Sequence, residues 1–573
     1  MPQATNMTPA GDENAAGMKS NVPRWIVPAI LLLLYWLQCA WFIETQSLTY
    51  DEPVHIAEGL DAWRNGRFQQ YNDHPPLARL LCTLPLLNPK WQVEVEQLPQ
   101  SFRIPSISPD PVSLAGRARL VNAGLGMVLG VLVWFTAANL FSVSAANFAL
   151  VLFAFSPSLI ANFSVVTTDG AATLLIFASA WAIVYWKRRP SWKNTMALGF
   201  VLGLLLLSKF STLLMFAVAV FWMLALVPGG ISSRPWRWNW RKAALAVGIA
   251  FLVLWAGYFF HVSHLTIRDG TLTVTFPNWT RPLVKPNHSG LNFTVPIPAG
   301  EFVAGFRDLA IHNAHGQPAF FLGRTSSSGG WKSYYPVTIL LKWPLLVVAL
   351  ALTGLLLTLL KRVEVSGDLW IMASFPAVYF LVAIFAHFNL GERHILALYP
   401  FALLFAAAVW QQASLQWNRS IFLGVLLLWN AFDVLRSAPG YLSYFDSFVR
   451  PNYKYRLLAD SNLDWGQGLL ALRKYERDHP GEQIWLAYFG SVEPDVYGIK
   501  AQPLAENQRV TGTVVVGATN LSGEYLSDPT AYRWLLNYGP PEVLDGCLYV
   551  FHVPGANARQ ASAQVQAAGR AAK

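Results

Sequence analysis

The chain has 573 residues, of which 54% are hydrophobic and only 13% charged, with a mean hydropathy of +0.35. A soluble domain carries about 25% charged residues, so this composition excludes an ordinary water-soluble enzyme and indicates a polytopic membrane protein. The net charge of +10 reads as inward-facing loop charge, and no nucleic-acid partner is expected.

Residues 1–21 are polar and are expected to be a disordered cytoplasmic stretch. Lys19 and Arg24 then precede the apolar run Trp25–Ile43. That run is as long as a membrane span and lacks a small-residue cleavage site, which predicts a retained anchor. Further apolar segments follow at 120–141, 145–163, 170–186, 195–207, 210–227, 243–260, 337–360, 369–387, 395–410 and 421–435. With the first they give about eleven spans by the hydropathy criterion. The segment 195–207 is short enough to be broken or re-entrant. It has no matching short partner, which counts against a transporter built from paired broken helices.

Lys187-Arg188-Arg189, Arg234, Arg237, Arg241, Lys242, Lys361-Arg362 and Arg419 all fall on one side if the N-terminus is cytoplasmic. Positive charge then stays inside. The other side holds two long loops, 44–119 and 261–336, and everything after Arg436. The bundle is therefore assigned to residues 22–437. From 438 to 554, short apolar runs alternate with turns: strands are predicted at 486–489, 513–517 and 548–553, helices at 464–477 and 530–537. This is the pattern of a small extramembrane α/β domain. Residues 555–573 are Ala- and Gln-rich and are expected to be disordered. The fold class is mainly α: a polytopic transmembrane helix bundle with a C-terminal outer α/β domain.

The ionisable residues of the outer side carry the chemistry. Asp51-Glu52 precede Pro53, and Asp73-His74 precede Pro75-Pro76, so each pair stands where a helix begins. A carboxylate at a membrane-facing cleft can act as general base on an acceptor hydroxyl, and Asp51 and Glu52 are the leading candidates. The alternative is that one of them caps the helix. His74, beside Asp73 and one turn before Arg79, can meet a phosphate or order an acceptor; the alternative is a solvated helix start. Asp169, in Thr-Thr-Asp-Gly, is a further catalytic candidate, because a carboxylate at the membrane face is costly unless it has a job or a cap to make; capping the fourth span is the alternative. Lys209 follows a segment too short to carry it clear of the bilayer, which points to a cavity or an anionic ligand; snorkelling is the alternative. Arg393 and His394 form an outer turn, and an arginine fork there can close on a phosphate; an interfacial anchor is the alternative. Residues 460–467, DSNLDWGQ, begin like a calcium loop but fail it, with Trp465 where glycine is required. Asn462 or Asp464 is read as the cap of the following helix.

Cys39, Cys82 and Cys547 are odd in number and far apart, giving neither a disulfide framework nor a metal-ligand spacing. No metal-ligand cluster and no nucleotide-binding glycine loop is evident. No cofactor is expected, and a divalent metal has no clear ligand set.

Tyr-Asp-Glu-Pro at 50–53, Asp-His-Pro-Pro-Leu at 73–77, Thr-Thr-Asp-Gly at 167–170, Ser-Lys-Phe at 208–210 and the run from Gly391 to Phe401 resemble the protein O-mannosyltransferase-like (family 39) membrane glycosyltransferases of the GT-C fold. The 460–467 segment is similar to one in the outer domain of bacterial members. The resemblance runs from about Trp25 to Val553. It implies a polyprenyl-phosphate sugar as donor, a hydroxyl-bearing acceptor, and an active site on the extracytoplasmic face of an inner or plasma membrane. It also implies Asp51 as general base, Asp169 shaping the acceptor site, and basic residues holding the donor phosphate. The chain departs from the related aminoarabinose transferases, which carry Glu-Lys-Pro where it has Asp73-His74-Pro75; any metal role for that corner stays open. The alternatives are transfer of a preassembled glycan, a lipid transporter or flippase, and a membrane scaffold without turnover.

Overall fold

The structure, a computed structural model, describes residues 23–68, 74–98, 101–225, 239–268, 271–277, 279–284, 293–414 and 416–555. Residues 1–21, Asp73, Arg234, Arg237 and the tail from 556 lie outside the described residues.

The helices in chain order are α1 (Ile26–Thr45), α2 (Glu52–Asn65), α3 (Leu77–Thr83), α4 (Pro111–Leu140), α5 (Val143–Ala154), α6 (Pro157–Phe163), α7 (Thr168–Arg188), α8 (Trp192–Ser208), α9 (Thr212–Ala225), α10 (Asn239–Gly257), α11 (Gly300–His315), α12 (Tyr334–Lys342), α13 (Leu345–Leu359), α14 (Gly367–Phe385), α15 (Tyr399–Ala413) and α16 (Trp417–Arg436). Among the described residues, seven helical segments are each long and apolar enough to cross a membrane, and two bent pairs raise the number to nine. The shorter α8 and α9 account for the remaining two of the eleven predicted segments. The protein is a multi-pass membrane protein, and its mainly helical bundle carries a sheet-containing C-terminal region.

Two breaks are not visible in hydropathy. The pair α5–α6 bends by 64° and α12–α13 by 119°. Each break has a proline: Pro157 is at the first turn of α6, where Ser156 caps the helix, and Pro344 immediately precedes α13. Proline removes an N–H and disfavours helical geometry in the residue before it, so the chain turns there without losing an internal bond. The α12–α13 break is filled, because Lys342 Nζ donates to the carbonyls of Leu442, Tyr444 and Asn462 at 2.6–2.8 Å. The helix α8 starts at Trp192, a turn earlier than hydropathy indicates, because Ser191 caps it by accepting from Asn194 N–H.

The basic ends meet at one end of the bundle. Lys187 and Arg188, at the end of α7, bind Asp368 in the first turn of α14 at 2.9 and 2.8 Å. The two long loops and the C-terminal region converge at the other end. The first loop forms a hairpin, Gln92–Gln97 with Phe102–Ser108. The second forms a four-stranded antiparallel sheet. The C-terminal region forms a five-stranded sheet in the order 502–503, 484–487, 512–517, 548–553, 542–544. The strand expected at 486–489 ends at Ala487, and Phe489 and Ser491 turn back towards the first loop. Leu48, Ile56 and Ile104 of that loop share one apolar core with Leu472, Leu486 and Val515 of the sheet region. Ile104 N–H donates to Ser491 O at 2.8 Å. The C-terminal region is thereby fixed against the loop that carries Asp51.

Candidate active site

The turn before α2 separates its two carboxylates. Glu52 is wholly buried. Its Oε1 accepts from Arg119 Nε and Val166 N–H, both at 2.8 Å, and its Oε2 from Thr49 N–H at 2.8 Å and Arg119 Nη2 at 2.6 Å. Arg119 spends its other donors on the carbonyls of Gln46 and Ser47. Glu52 therefore ties the end of α1, the start of α2, α4 and the segment before α7 together. Asp51 stands at the N-cap position of α2, yet its side chain makes no capping bond. It points to Arg393, whose Nη1 lies 3.0 Å from Asp51 Oδ2, and its side chain remains 30% exposed. The helix-cap alternative fails for Asp51, and the neighbouring buried carboxylate leaves it as the accessible member of the pair.

Asp169 sits in the first turn of α7 and does not cap it either. Its Oδ1 accepts from Lys209 Nζ at 2.5 Å, and its Oδ2 is 3.9 Å from Arg393 Nη1. Lys209 is 6% exposed, so it does not snorkel. It lies in extended backbone at the break between α8 and α9, where Thr212 Oγ1 donates to the carbonyls of Leu205 and Lys209 at 2.6 Å. That break projects an ammonium sideways out of an otherwise apolar wall. Arg393 joins the two halves. Its guanidinium stacks on Trp465 at 4.0 Å. Its neighbour Glu392 is held by Ser158 and by Asn462 Oδ1, which accepts from Glu392 N–H.

The second cluster meets the first. Arg79 Nε donates to His55 Nδ1 at 3.1 Å, and its Nη1 pairs with Glu58. The rings of His55 and His74 lie 6.4 Å apart. Burial, then the charges of Arg79 and Arg393, push the His55 imidazole well below its usual range. Burial, then Lys209 and Arg79, do the same to His74. Both rings are neutral at pH 7 and offer hydrogen bonds rather than charge. Asp73 lies outside the described residues. Three nitrogens here are buried without a partner among the described residues: His74 Nδ1, Arg393 Nε and His394 Nε2. Buried polar atoms normally find a partner. Three together, beside Lys209 and Arg79, form a cradle suited to the oxygens of an anionic group. Among the described residues no three His, Cys, Asp or Glu side chains come together to hold a metal ion.

The 460–467 segment proves to be the buckle of the site, and its expected capping role fails. Asn462 Nδ2 donates to the Tyr334 hydroxyl, and Asp464 Oδ2 accepts from Thr519 N–H. The following helix starts only at Leu469, after Gly468. Trp465 O accepts from Tyr50 N–H at 2.8 Å, and Ser461 Oγ donates to Leu390 O at 2.9 Å. Gly466, at φ +91°, makes the turn that a residue with a side chain resists. The segment thus clasps the residues beside Asp51 and those beside Arg393. Sequence reasoning missed Asp460, within electrostatic reach of Arg393 and Asp51, and Lys342. A lysine inside the apolar run 337–360 was the available signal for Lys342; for Asp460 there was none beyond the polar motif.

Residues 115–257 match the family model described as dolichyl-phosphate-mannose-protein mannosyltransferase. The S. cerevisiae protein O-mannosyltransferase Pmt1–Pmt2 complex bound to the sugar donor superposes with a TM-score of 0.50 at 10% identity, covering 73% of this chain and 90% of that one. This chain has the GT-C fold. ArnT from Cupriavidus metallidurans, solved with undecaprenyl phosphate and in the apo state, aligns at a TM-score of 0.46 and 12% identity, covering 92% of this chain and 98% of that one. No curated protein sequence matches the chain. The resemblance read from the motifs is met by the family model over residues 115–257 and by a GT-C fold shared over 73% of the chain.

Proposed function

We propose that this GT-C protein is an integral-membrane glycosyltransferase that moves a sugar from a polyprenyl-phosphate donor to a hydroxyl acceptor by a single inverting displacement. The observation that carries this reading is the meeting of an uncapped, accessible carboxylate with a buried cationic cradle: Asp51 lies 3.0 Å from Arg393, which adjoins the Asp169–Lys209 pair. In the reaction the acceptor oxygen attacks the anomeric carbon as its proton passes to Asp51. The bond from that carbon to the phosphate oxygen breaks on the opposite face, and the electron pair leaves with the lipid phosphate. Lys209 and Arg393 stabilise the charge that develops on it, while the rings of His74 and His394 donate or accept around it and Arg79 adds charge at the same corner. Asp169 holds Lys209 in place and borders the acceptor. Glu52 orients the Asp51 turn without touching the reacting atoms. The site and the C-terminal region face the extracytoplasmic side of an inner or plasma membrane, since the basic ends of the bundle lie at the opposite end. No cofactor is invoked. Mass spectrometry of lipids, glycans and secreted proteins from cells with and without the protein tests the reading: one glycan should disappear while its polyprenyl-phosphate donor accumulates. Unchanged glycans with a redistributed lipid would indicate transport instead.

A further inference from the structure

One group of side chains beside Asp51 has no part in this displacement. Tyr50 stacks on Phe489, with ring centroids 5.3 Å apart and planes 13° from parallel. Phe489 in turn stacks on Tyr525, at 5.2 Å and 3°. The three rings form a ladder that starts at the residue before Asp51 and ends in the outer region. Phe489 is covered on both faces, whereas Tyr525 is the terminal rung and is 36% exposed. The ladder is pinned at both ends. Ser491 Oγ donates to Tyr50 O at 2.7 Å, and the Tyr525 hydroxyl donates to Asp460 Oδ2. Asp460 itself occupies left-handed backbone at φ +52°, a conformation that a non-glycine residue keeps where surrounding contacts enforce it, commonly at functional sites. Next to Tyr525, Glu524 is 7% exposed and its Oε2 has no partner among the described residues.

This side of the site is aromatic and acidic, while the Lys209 and Arg79 side is cationic. An aromatic face is electron-rich and attracts the polarised C–H bonds on the face of a pyranose ring. Carboxyl groups beside it hydrogen-bond the ring's hydroxyls, as donor or acceptor. The electron-rich ring faces disfavour an anionic acceptor. An extended peptide acceptor would seek a free strand edge. The strand leading into Phe489, residues 484–487, is paired on both sides, by 502–503 and by 512–517. We propose that the acceptor is an uncharged carbohydrate whose terminal ring lies on the exposed face of Tyr525, with hydroxyls bound by Asp460 and Glu524, and that this ring delivers its hydroxyl to Asp51. The proposal rests on the glycosyl-transfer reading and names its acceptor class.

The test is saturation-transfer NMR on the full-length protein in detergent, with methyl hexopyranosides and, separately, a Ser/Thr hexapeptide as probes. The glycosides should receive saturation on the C–H groups of one ring face. Tyr525→Leu, which stays apolar but removes the aromatic face and the hydroxyl, should weaken that signal at least about fivefold; Tyr525→Trp, which lacks the hydroxyl but keeps an aromatic face, should keep or strengthen it. Binding of undecaprenyl phosphate should be unchanged in both variants, which shows that they are folded. Glycoside signals equal in wild type and Tyr525→Leu, a fall in Tyr525→Trp with lipid binding intact, or saturation of the peptide alone would each overturn the proposal. Loss of undecaprenyl phosphate binding by the wild type would instead overturn the donor reading, with the glycoside signals still reporting on Tyr525.

Discussion

Replacing Arg393 tests the phosphate cradle most finely, because two variants separate charge from shape. Its guanidinium meets Asp51 at 3.0 Å, Asp169 at 3.9 Å and the Trp465 ring at 4.0 Å, and its Nε is unpartnered among the described residues. Arg393→Lys keeps the charge but loses the planar fork and the stack. A charge-assisted hydrogen bond contributes about 1.5–3 kcal/mol, and each 1.4 kcal/mol or so is a tenfold change in affinity. Arg393→Lys should therefore weaken binding of undecaprenyl phosphate by about tenfold. Arg393→Gln should weaken it by about a hundredfold, since it also leaves Asp51 and Asp169 facing the phosphate with only Lys209 between them. Native mass spectrometry or equilibrium binding of the tritiated lipid reads the effect, with thermal unfolding in the same detergent confirming a folded variant. Affinities within about threefold of wild type in both variants would refute the cradle.

Glu52→Gln should destabilise the protein by roughly 3–5 kcal/mol, because it leaves Arg119 charged and buried; adding Arg119→Leu should restore part of the loss. A Glu52→Gln protein that melts like wild type yet is inactive would make Glu52 catalytic. Burial pushes the Asp464 carboxyl up to about 7, above its unfolded value, so this group favours folding when protonated and that stability is lost as pH rises from about 4 to 7. Asp464→Asn should therefore gain in Tm relative to wild type between pH 5 and pH 8, and a difference that is flat or reversed with pH would contradict the assignment. For topology, cysteines introduced at Arg419 and Ser527 should be labelled from opposite sides of the membrane, against a low background because Cys39, Cys82 and Cys547 are all buried. Labelling of both from one side would remove the site from the outer face.

The bundle is legible in the sequence because a run of membrane length admits almost one structure, a helix with its backbone bonds satisfied internally. The bends at Pro157 and Pro344 are not, since both lie inside runs that pass a hydropathy window whole. Lys209 is conspicuous because a charge interrupts an apolar stretch, and its partner Asp169 is conspicuous for the same reason. That they bind each other across 40 residues is a tertiary fact no local pattern contains. The difference between Asp51 and Glu52 is likewise invisible, as both follow the same turn into the same proline. What separates them is Arg119, 67 residues away, and Arg393, 342 residues away. The DSNLDWGQ segment looks like a cap because Asn and Asp cap helices locally. Here their side chains are taken by Thr519, Tyr334 and the Arg393 turn, so the helix begins later.

The central claim is that Asp51 accepts the acceptor's proton during sugar transfer, and single-turnover transfer by Asp51→Asn tests it directly. Asparagine keeps the size, and no capping bond is lost because Asp51 makes none. Arg393 keeps Asp169 at 3.9 Å and its stack on Trp465, so folding should survive, and undecaprenyl phosphate should bind as well as or better than to wild type. With polyprenyl-phosphate sugars radiolabelled one at a time, the wild type should release polyprenyl phosphate and form a new glycoside. The variant should do so about a hundredfold or more slowly, as expected when a general base is lost. Full activity in Asp51→Asn would contradict the account, and loss in Asp169→Asn alone would move the base to that carboxylate.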